Sequence, residues 1–204
     1  MNEYPSKVLQ EAVEAISSLP GVGSRSALRL ALHLLRQPAE NIHHFAGAID
    51  ALADHIHYCK ECNMISDEQT CGICGDAKRD HDIICVVESI RDVMSIEATG
   101  QYHGVYHVLG GIISPINGIG PGDLSIDRLV ERLEHATAAT EVILALSGDV
   151  EGETTSFYIY RKIAGKAAKI STLARGLGFG DDLEYADTLT LGRSIVNRQI
   201  FKPQ

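Results

Sequence analysis

CKECNMISDEQTCGIC, residues 59–74, divides this chain into two textures. Before it, apolar residues recur three and four positions apart, as helices require. After it, short β-branched runs alternate with helical periods. The block itself reads Cys59-x2-Cys62, eight residues, then Cys71-x2-Cys74. Each pair forms a knuckle with two thiolates, and four thiolates close a tetrahedral zinc site. A closed set leaves no open position for a substrate, so the expected zinc is structural and holds a core-poor segment folded. Two redox pairs or an iron-sulfur cluster are the competing readings. His57 stands beside the block as a spare ligand, whereas His43, His44 and His55 read as solvated helix positions. Cys85 lies inside an apolar run and reads as a small core residue.

Upstream, Val8, Leu9, Ala12, Val13 and Ile16 predict a helix over 7–18. Pro20-Gly21-Val22-Gly23 breaks it, and a second helix runs from 24 to 36. Pro38 suits the first turn of a third, in which Ile42, Phe45, Ala46, Ile49, Leu52, Ala53 and Ile56 trace one face. Downstream, 82–88 and 105–109 read as strands, 124–138 as a helix, 142–146 as a strand and 154–163 as a helix. Strands alternating with helices predict a parallel α/β sheet. Residues from 167 onward are less regular.

The chain has 204 residues, 45% hydrophobic and 22% charged, with no Trp and a formal net charge of -9. That is ordinary for a soluble globular protein. No apolar run reaches the roughly 18 residues of a membrane span, and no secretory signal is visible, so the expected location is cytoplasmic with no membrane partner. Evenly spread, the negative charge would argue against nucleic acid. LPGVGSRSALRLALHLLR, residues 19–36, argues the other way. Gly21 and Gly23 allow a tight turn and a close backbone approach. The helix that follows directs its free N–H groups at whatever sits over the turn, which suits a phosphate. Arg25, Arg29 and Arg36 fall on one stripe, with His33 and Ser26 beside it. The plainer alternative is a solvated face on a helical hairpin.

Glu88 ends the first of these strands, and Asp149, Glu151 and Glu153 follow the third. Sites in open parallel sheets form beyond the carboxyl ends of strands. If these strands are neighbours, the carboxylates converge on a hard cation such as Mg²⁺. Otherwise they cap the next helix.

Together these features resemble the bacterial recombination mediators of the RecR family, over nearly the whole chain. VEGETTSFYI at 150–159 and LEYADTLTLGRSI at 183–195 add to the likeness, the latter resembling that family's Walker-B-like end segment. The resemblance implies an α+β, α/β multidomain protein. Its expected parts are a helix-hairpin-helix domain (1–57), a four-cysteine zinc ribbon (58–77), a Toprim domain (78–166) and a C-terminal segment (167–204). It implies a non-enzymatic clamp on single- and double-stranded DNA without sequence preference, a homo-oligomeric ring that is usually a tetramer. Such a clamp works with RecO and RecF to load RecA at single-stranded gaps. By position, Arg25 and Arg29 face DNA beside Gly21 and Gly23. Glu88, Glu151 and Glu153 take the Toprim acidic positions, where Mg²⁺ would sit, and no catalytic residue is assigned. Ser147-Gly148-Asp149 replaces the Asn-Pro of many relatives, GLGFGDDLEY at 176–185 replaces a Pro-Val-Gly-Gly form, and IFKPQ at 200–204 runs past the expected end.

The main rival is a Mg²⁺-dependent Toprim nuclease or topoisomerase-like enzyme. Tyr102, Tyr106, Tyr158 and Tyr160 lie in no recognisable nucleophile motif. A third reading is a zinc-stabilised interaction module in which the hairpin only packs helices.

Overall fold

The computed structural model describes residues 4–137, 139–174, 176–178 and 182–198. Residues 179–181 of the glycine-rich tail and all of IFKPQ lie outside them. The chain divides into two units, residues 1–56 and 57–204.

The first unit holds α1 (Lys7–Ser17), α2 (Ser24–Leu34) and α3 (Ala39–His55). Ser6 caps α1 through its hydroxyl, which accepts from the Leu9 N–H. Val13 of α1 packs against Ala27 and Ala31 of α2, all three buried, with Leu9, Ile16, Val22 and Leu28 around them. Alanines at that contact let the two helices approach closely. Pro38 sits at the cap, one residue before the expected first turn, because its ψ of 142° is extended. The periodic face of α3 is real but uncovered: α3 buries no residue, and Phe45, Ile49 and Leu52 are each more than half exposed.

The second unit opens with a two-stranded antiparallel ribbon, β1 (His57–Tyr58) and β2 (Ile65–Ser66). A parallel sheet follows, in the order β4 (Gly104–Val108), β3 (Asp80–Val87), β5 (Glu141–Ala145), β6 (Lys169–Thr172). Its helices are α4 (Ile90–Glu97), α5 (Ile126–Glu134), α6 (Val150–Ile163) and α7 (Thr188–Val196). Strand alternation sorts β3 into two faces. Ile84 and Val86 join Leu129, Leu133, Ile159 and Ile163 of α5 and α6. Cys85 and Val87 join Val93 of α4 and Tyr106. Cys85 is thus the core residue expected, its thiol pushed up to about 12 by burial.

Two helices differ by several residues from their predicted extent, and others are not predicted at all. α5 is shorter than 124–138, because Ser125 is held by β4: its hydroxyl donates to the Val108 carbonyl and its N–H to the Leu109 carbonyl. The expected end, Ala138, lies outside the described residues. α6 begins four residues early, because the Asp149 carboxylate caps it by accepting from the Gly152 N–H at 2.7 Å. α4 is a helix that sequence reading leaves unassigned, although Ile90, Val93 and Met94 stand at helical spacing. Its start is fixed by Asp92, which accepts from both the N–H and the hydroxyl of Ser89. β6 and α7 give order to the irregular stretch after 167.

His107 in β4 is fully buried. Its Nε2 lies 2.8 Å from the Ser125 carbonyl, so Nε2 carries the proton of a neutral ring. Burial pushes its pKa down to about 4. An unfolded histidine takes up a proton near 6.5, while the folded one resists until about 4. Stability therefore falls as pH drops through that interval, by roughly 1.4 kcal/mol per pH unit from this one group. Urea midpoints measured against pH check this, with a shallower loss expected in His107→Gln than in the unaltered protein.

Candidate metal centre and nucleic-acid interface

The four cysteines of the ribbon converge, with all their sulfurs within 4.8 Å of one another. Cys59, Cys62 and Cys71 are buried and Cys74 is half-buried. The Sγ atoms of Cys62 and Cys71 are 3.5 Å apart. Asn63, at φ 61°, reverses the chain after the first pair. The Cys71 N–H donates to Cys59 Sγ at 3.3 Å, and the Cys74 N–H to Cys71 Sγ at 3.5 Å. Burial acts to raise the Cys59 thiol, but backbone N–H groups of Cys71, Cys62 and Glu61 outweigh it and hold it at about 7. Its neighbours go the other way: the Cys74 side chain pushes Cys62 up, and burial pushes Cys71 up to about 11. One thiolate forms readily, and further negative charge beside it is opposed. A divalent ion removes that opposition. The spacing fits zinc, whose tetrahedral bonds of about 2.3 Å put sulfurs about 3.8 Å apart. Such an ion would be held by all four thiolates and would supply folding free energy.

The centre is tied to the sheet. The open edge of β4 is sealed by the first knuckle: the Val108 N–H donates to the Cys62 carbonyl at 2.8 Å, and the Asn63 amide donates to the Val108 carbonyl at 3.0 Å. From α5, Arg128 donates to the Asn63 side chain and to the carbonyls of Cys59 and Lys60. Arg132 donates to the Tyr106 carbonyl at 2.7 Å. Sequence reading missed both arginines. Their i,i+4 spacing marks a shared helix face but gives no sign that knuckle carbonyls lie opposite.

In the first unit the Leu19–Val22 turn closes with the Val22 N–H donating to the Leu19 carbonyl at 3.1 Å. Pro20 takes the second position and Gly21 the third, at φ +80°, the pattern of a type II turn. Gly23 differs: its φ of -80° is open to any residue, and no atom lies within 4 Å of where a Cβ would stand. As the N-cap of α2 it suits glycine, but neither a positive φ nor a steric clash requires glycine there. No side chain caps α2, so its first N–H groups face that open space. Arg25, Arg29, His33 and Arg36 line one exposed groove along α2, with Leu28 and Leu32 between them. The expected stripe is therefore one surface, although Ser26 is not part of it.

The strands carrying the carboxylates are neighbours, since β3 pairs with β5 in parallel register. The carboxylates nevertheless meet different partners. Glu88 accepts from the Ser147 N–H. Glu151 accepts from the Ser114 hydroxyl at 2.7 Å. Glu153 pairs with Arg193 of α7 at 2.8 Å. Among the described residues, only the four cysteines form a group of three or more ligand side chains within 4.8 Å. The glycine between Glu151 and Glu153 has a packing cause, because a Cβ at Gly152 would overlap Ser147.

Comparison with known proteins agrees with this architecture. Family models match in four consecutive stretches: the RecR helix-hairpin-helix at 9–53, the RecR four-cysteine zinc finger domain at 56–76, the Toprim domain at 82–174 and the RecR C-terminal segment at 176–199. A protein of Porphyromonas gingivalis (strain ATCC 33277) named Recombination protein RecR is 55% identical over 201 residues, covering 98% of this chain and 97% of that protein. Proteins of the same name from Parabacteroides distasonis and Cytophaga hutchinsonii are 55% and 50% identical, each over 98% of this chain and 97% of their own length. The cysteine cluster is a four-thiolate zinc site. Cys62→Ser should reduce zinc below one ion per chain and destabilise the second unit well beyond the roughly 1 kcal/mol of an average substitution. Metal content by emission spectrometry beside a urea melt checks this.

Proposed function

The chain belongs to the RecR family of recombination proteins, and from that premise we propose that it is a non-enzymatic DNA clamp of recombinational repair. It grips single- and double-stranded DNA through phosphates, without sequence preference, at Gly21, Gly23, Arg25 and Arg29. It works in the cytoplasm as a homo-oligomeric ring, a tetramer, with RecO and RecF to promote RecA loading. The observation that carries this reading is Gly23. Its open space lies over an uncapped helix N-terminus, beside a groove lined by three arginines. Residues 19–36 contain no acid, so the positive charge is concentrated there although the chain totals -9. In a ring, several such grips add through effective concentration. The acidic remainder disfavours DNA on the surfaces that carry it.

The absence of catalysis is supported by what the Toprim acids touch. Glu88 accepts from the Ser147 N–H, Glu151 holds Ser114 and Glu153 holds Arg193. A second reading starts from the neighbouring of β3 and β5, which brings Glu88 to the Ser147 segment at the carboxyl edge of the sheet. In it, Glu88, Glu151 and Glu153 bind Mg²⁺ for strand cleavage. Plasmid incubated with Mg²⁺ or Mn²⁺ separates the two: the clamp leaves it supercoiled, and nicking abolished by Glu88→Ala would establish the enzyme.

Phosphate contacts set the salt dependence of binding. Arg25→Ala/Arg29→Ala should weaken all sequences alike and flatten the log-log salt slope by about 0.7–0.9 for each phosphate no longer neutralised. Gly23→Ala should also weaken binding while costing no more than about 1 kcal/mol of stability, since its Cβ meets nothing in the protein and only the N-cap preference for glycine over alanine is lost. Fluorescence anisotropy across a salt series checks both variants. Unchanged slope and affinity would leave the hairpin a packing device.

A further inference from the structure

Four of the seven tyrosines sort into two kinds. Tyr102 and Tyr106 are spent inside the fold: the Tyr102 hydroxyl lies 2.8 Å from the Val105 carbonyl, and the Tyr106 hydroxyl donates to Glu97 at 2.6 Å. Tyr158 and Tyr160 stand on α6 instead, Tyr158 half-buried against the core and Tyr160 exposed. That helix buries Gly152, Thr155, Ile159 and Ile163 on one side. At about 100° per residue, the other side runs Tyr160, Phe157, Arg161, Tyr158, Lys162 around an arc of roughly 200°. Two rings come first along it, then a cation, a third ring and a second cation. Phe157 is 63% exposed and Tyr160 49% exposed. Arg161, Tyr158 and Lys162 line a common hollow beside them. The Lys162 ammonium lies 5.8 Å from the Tyr158 ring centre and 3.6 Å from Asp127. Arg161 makes no ion pair among the described residues.

An exposed Phe beside an exposed Tyr offers flat apolar surface to a ligand. Two rings with a free guanidinium between them and a third ring have a matching ligand chemistry. A single strand presents flat bases for the rings and phosphates for the cations, which is how proteins hold single strands without reading sequence. A duplex hides its bases in the stack and offers the rings nothing. We propose that this outer face of α6 is a second nucleic-acid contact, selective for single-stranded DNA, in which Phe157 and Tyr160 stack on bases and Arg161 meets the backbone.

The proposal rests on the DNA-clamp reading but uses different residues and different chemistry, so the two fail separately. The test takes the full-length, zinc-loaded protein and two probes, a single-stranded 30-mer carrying 2-aminopurine and its duplex. Phe157→Ala/Tyr160→Ala should lower single-strand affinity about tenfold or more and abolish the stacking change in 2-aminopurine fluorescence. Duplex affinity should stay within about twofold, because phosphate contacts alone carry it. Phe157→Tyr/Tyr160→Phe keeps both rings and should restore single-strand binding. Unchanged single-strand affinity would overturn the proposal, as would equal loss on both probes. So would a changed subunit count by native mass spectrometry, which would make this face a contact between copies of the chain. Arg25→Ala/Arg29→Ala, run in parallel, should weaken both probes. If it weakens neither while the aromatic variant loses the single strand, the hairpin reading falls and the α6 face stands.

Discussion

The constraint on which the second unit depends is electrostatic: four thiols crowded within 4.8 Å cannot all ionise without a cation between them. Backbone N–H groups ease the first ionisation, at Cys59, and the neighbours of Cys62 resist the next. Zinc resolves the conflict, and the chain builds outward from it. The knuckle so formed seals the edge of β4, which would otherwise offer unpaired backbone to a passing strand. Arg128 fastens the same knuckle to α5, and α5 covers one face of the sheet. The ribbon is thus an edge cover for the α/β domain rather than an appendage.

The Toprim carboxylates each meet a protein partner. At the carboxyl edge of the sheet a cation site needs carboxylates that converge with free oxygens. Here one oxygen of Glu151 takes the Ser114 hydroxyl, and Glu153 faces a guanidinium from the tail. Both contacts join segments far apart in sequence, the loop after β4 and the helix α7. The α1–α2 hairpin shows the opposite case, a position unoccupied by the protein itself. Gly23 leaves room above a helix terminus that no side chain closes.

The features legible in the sequence are those whose cause is local. Cysteine spacing marks the metal site, helical periodicity marks α1 and α2, and β-branched runs mark β3, β4 and β5. The arginine stripe is legible because it needs only a helix. Features set by distant partners are not. α5 is shortened by contacts of Ser125 with β4, and the partners of Glu88, Glu151 and Glu153 come from other segments. Periodicity in α3 shows an amphipathic helix correctly, yet period alone cannot say what covers the apolar face, and this unit leaves Phe45 and Leu52 exposed. The exposed rings of α6 are visible as letters, but only the burial of Ile159 and Ile163 behind them shows which way they face.

The central claim joins three things: zinc in each chain, assembly of chains, and DNA held by the assembly rather than by single subunits. Native mass spectrometry with and without a DNA oligonucleotide reads all three at once. The expected spectrum shows one zinc per chain, a closed oligomer, and DNA carried by that oligomer alone. Monomeric chains that bind DNA as tightly as the oligomer, or folded chains without zinc, would contradict the account.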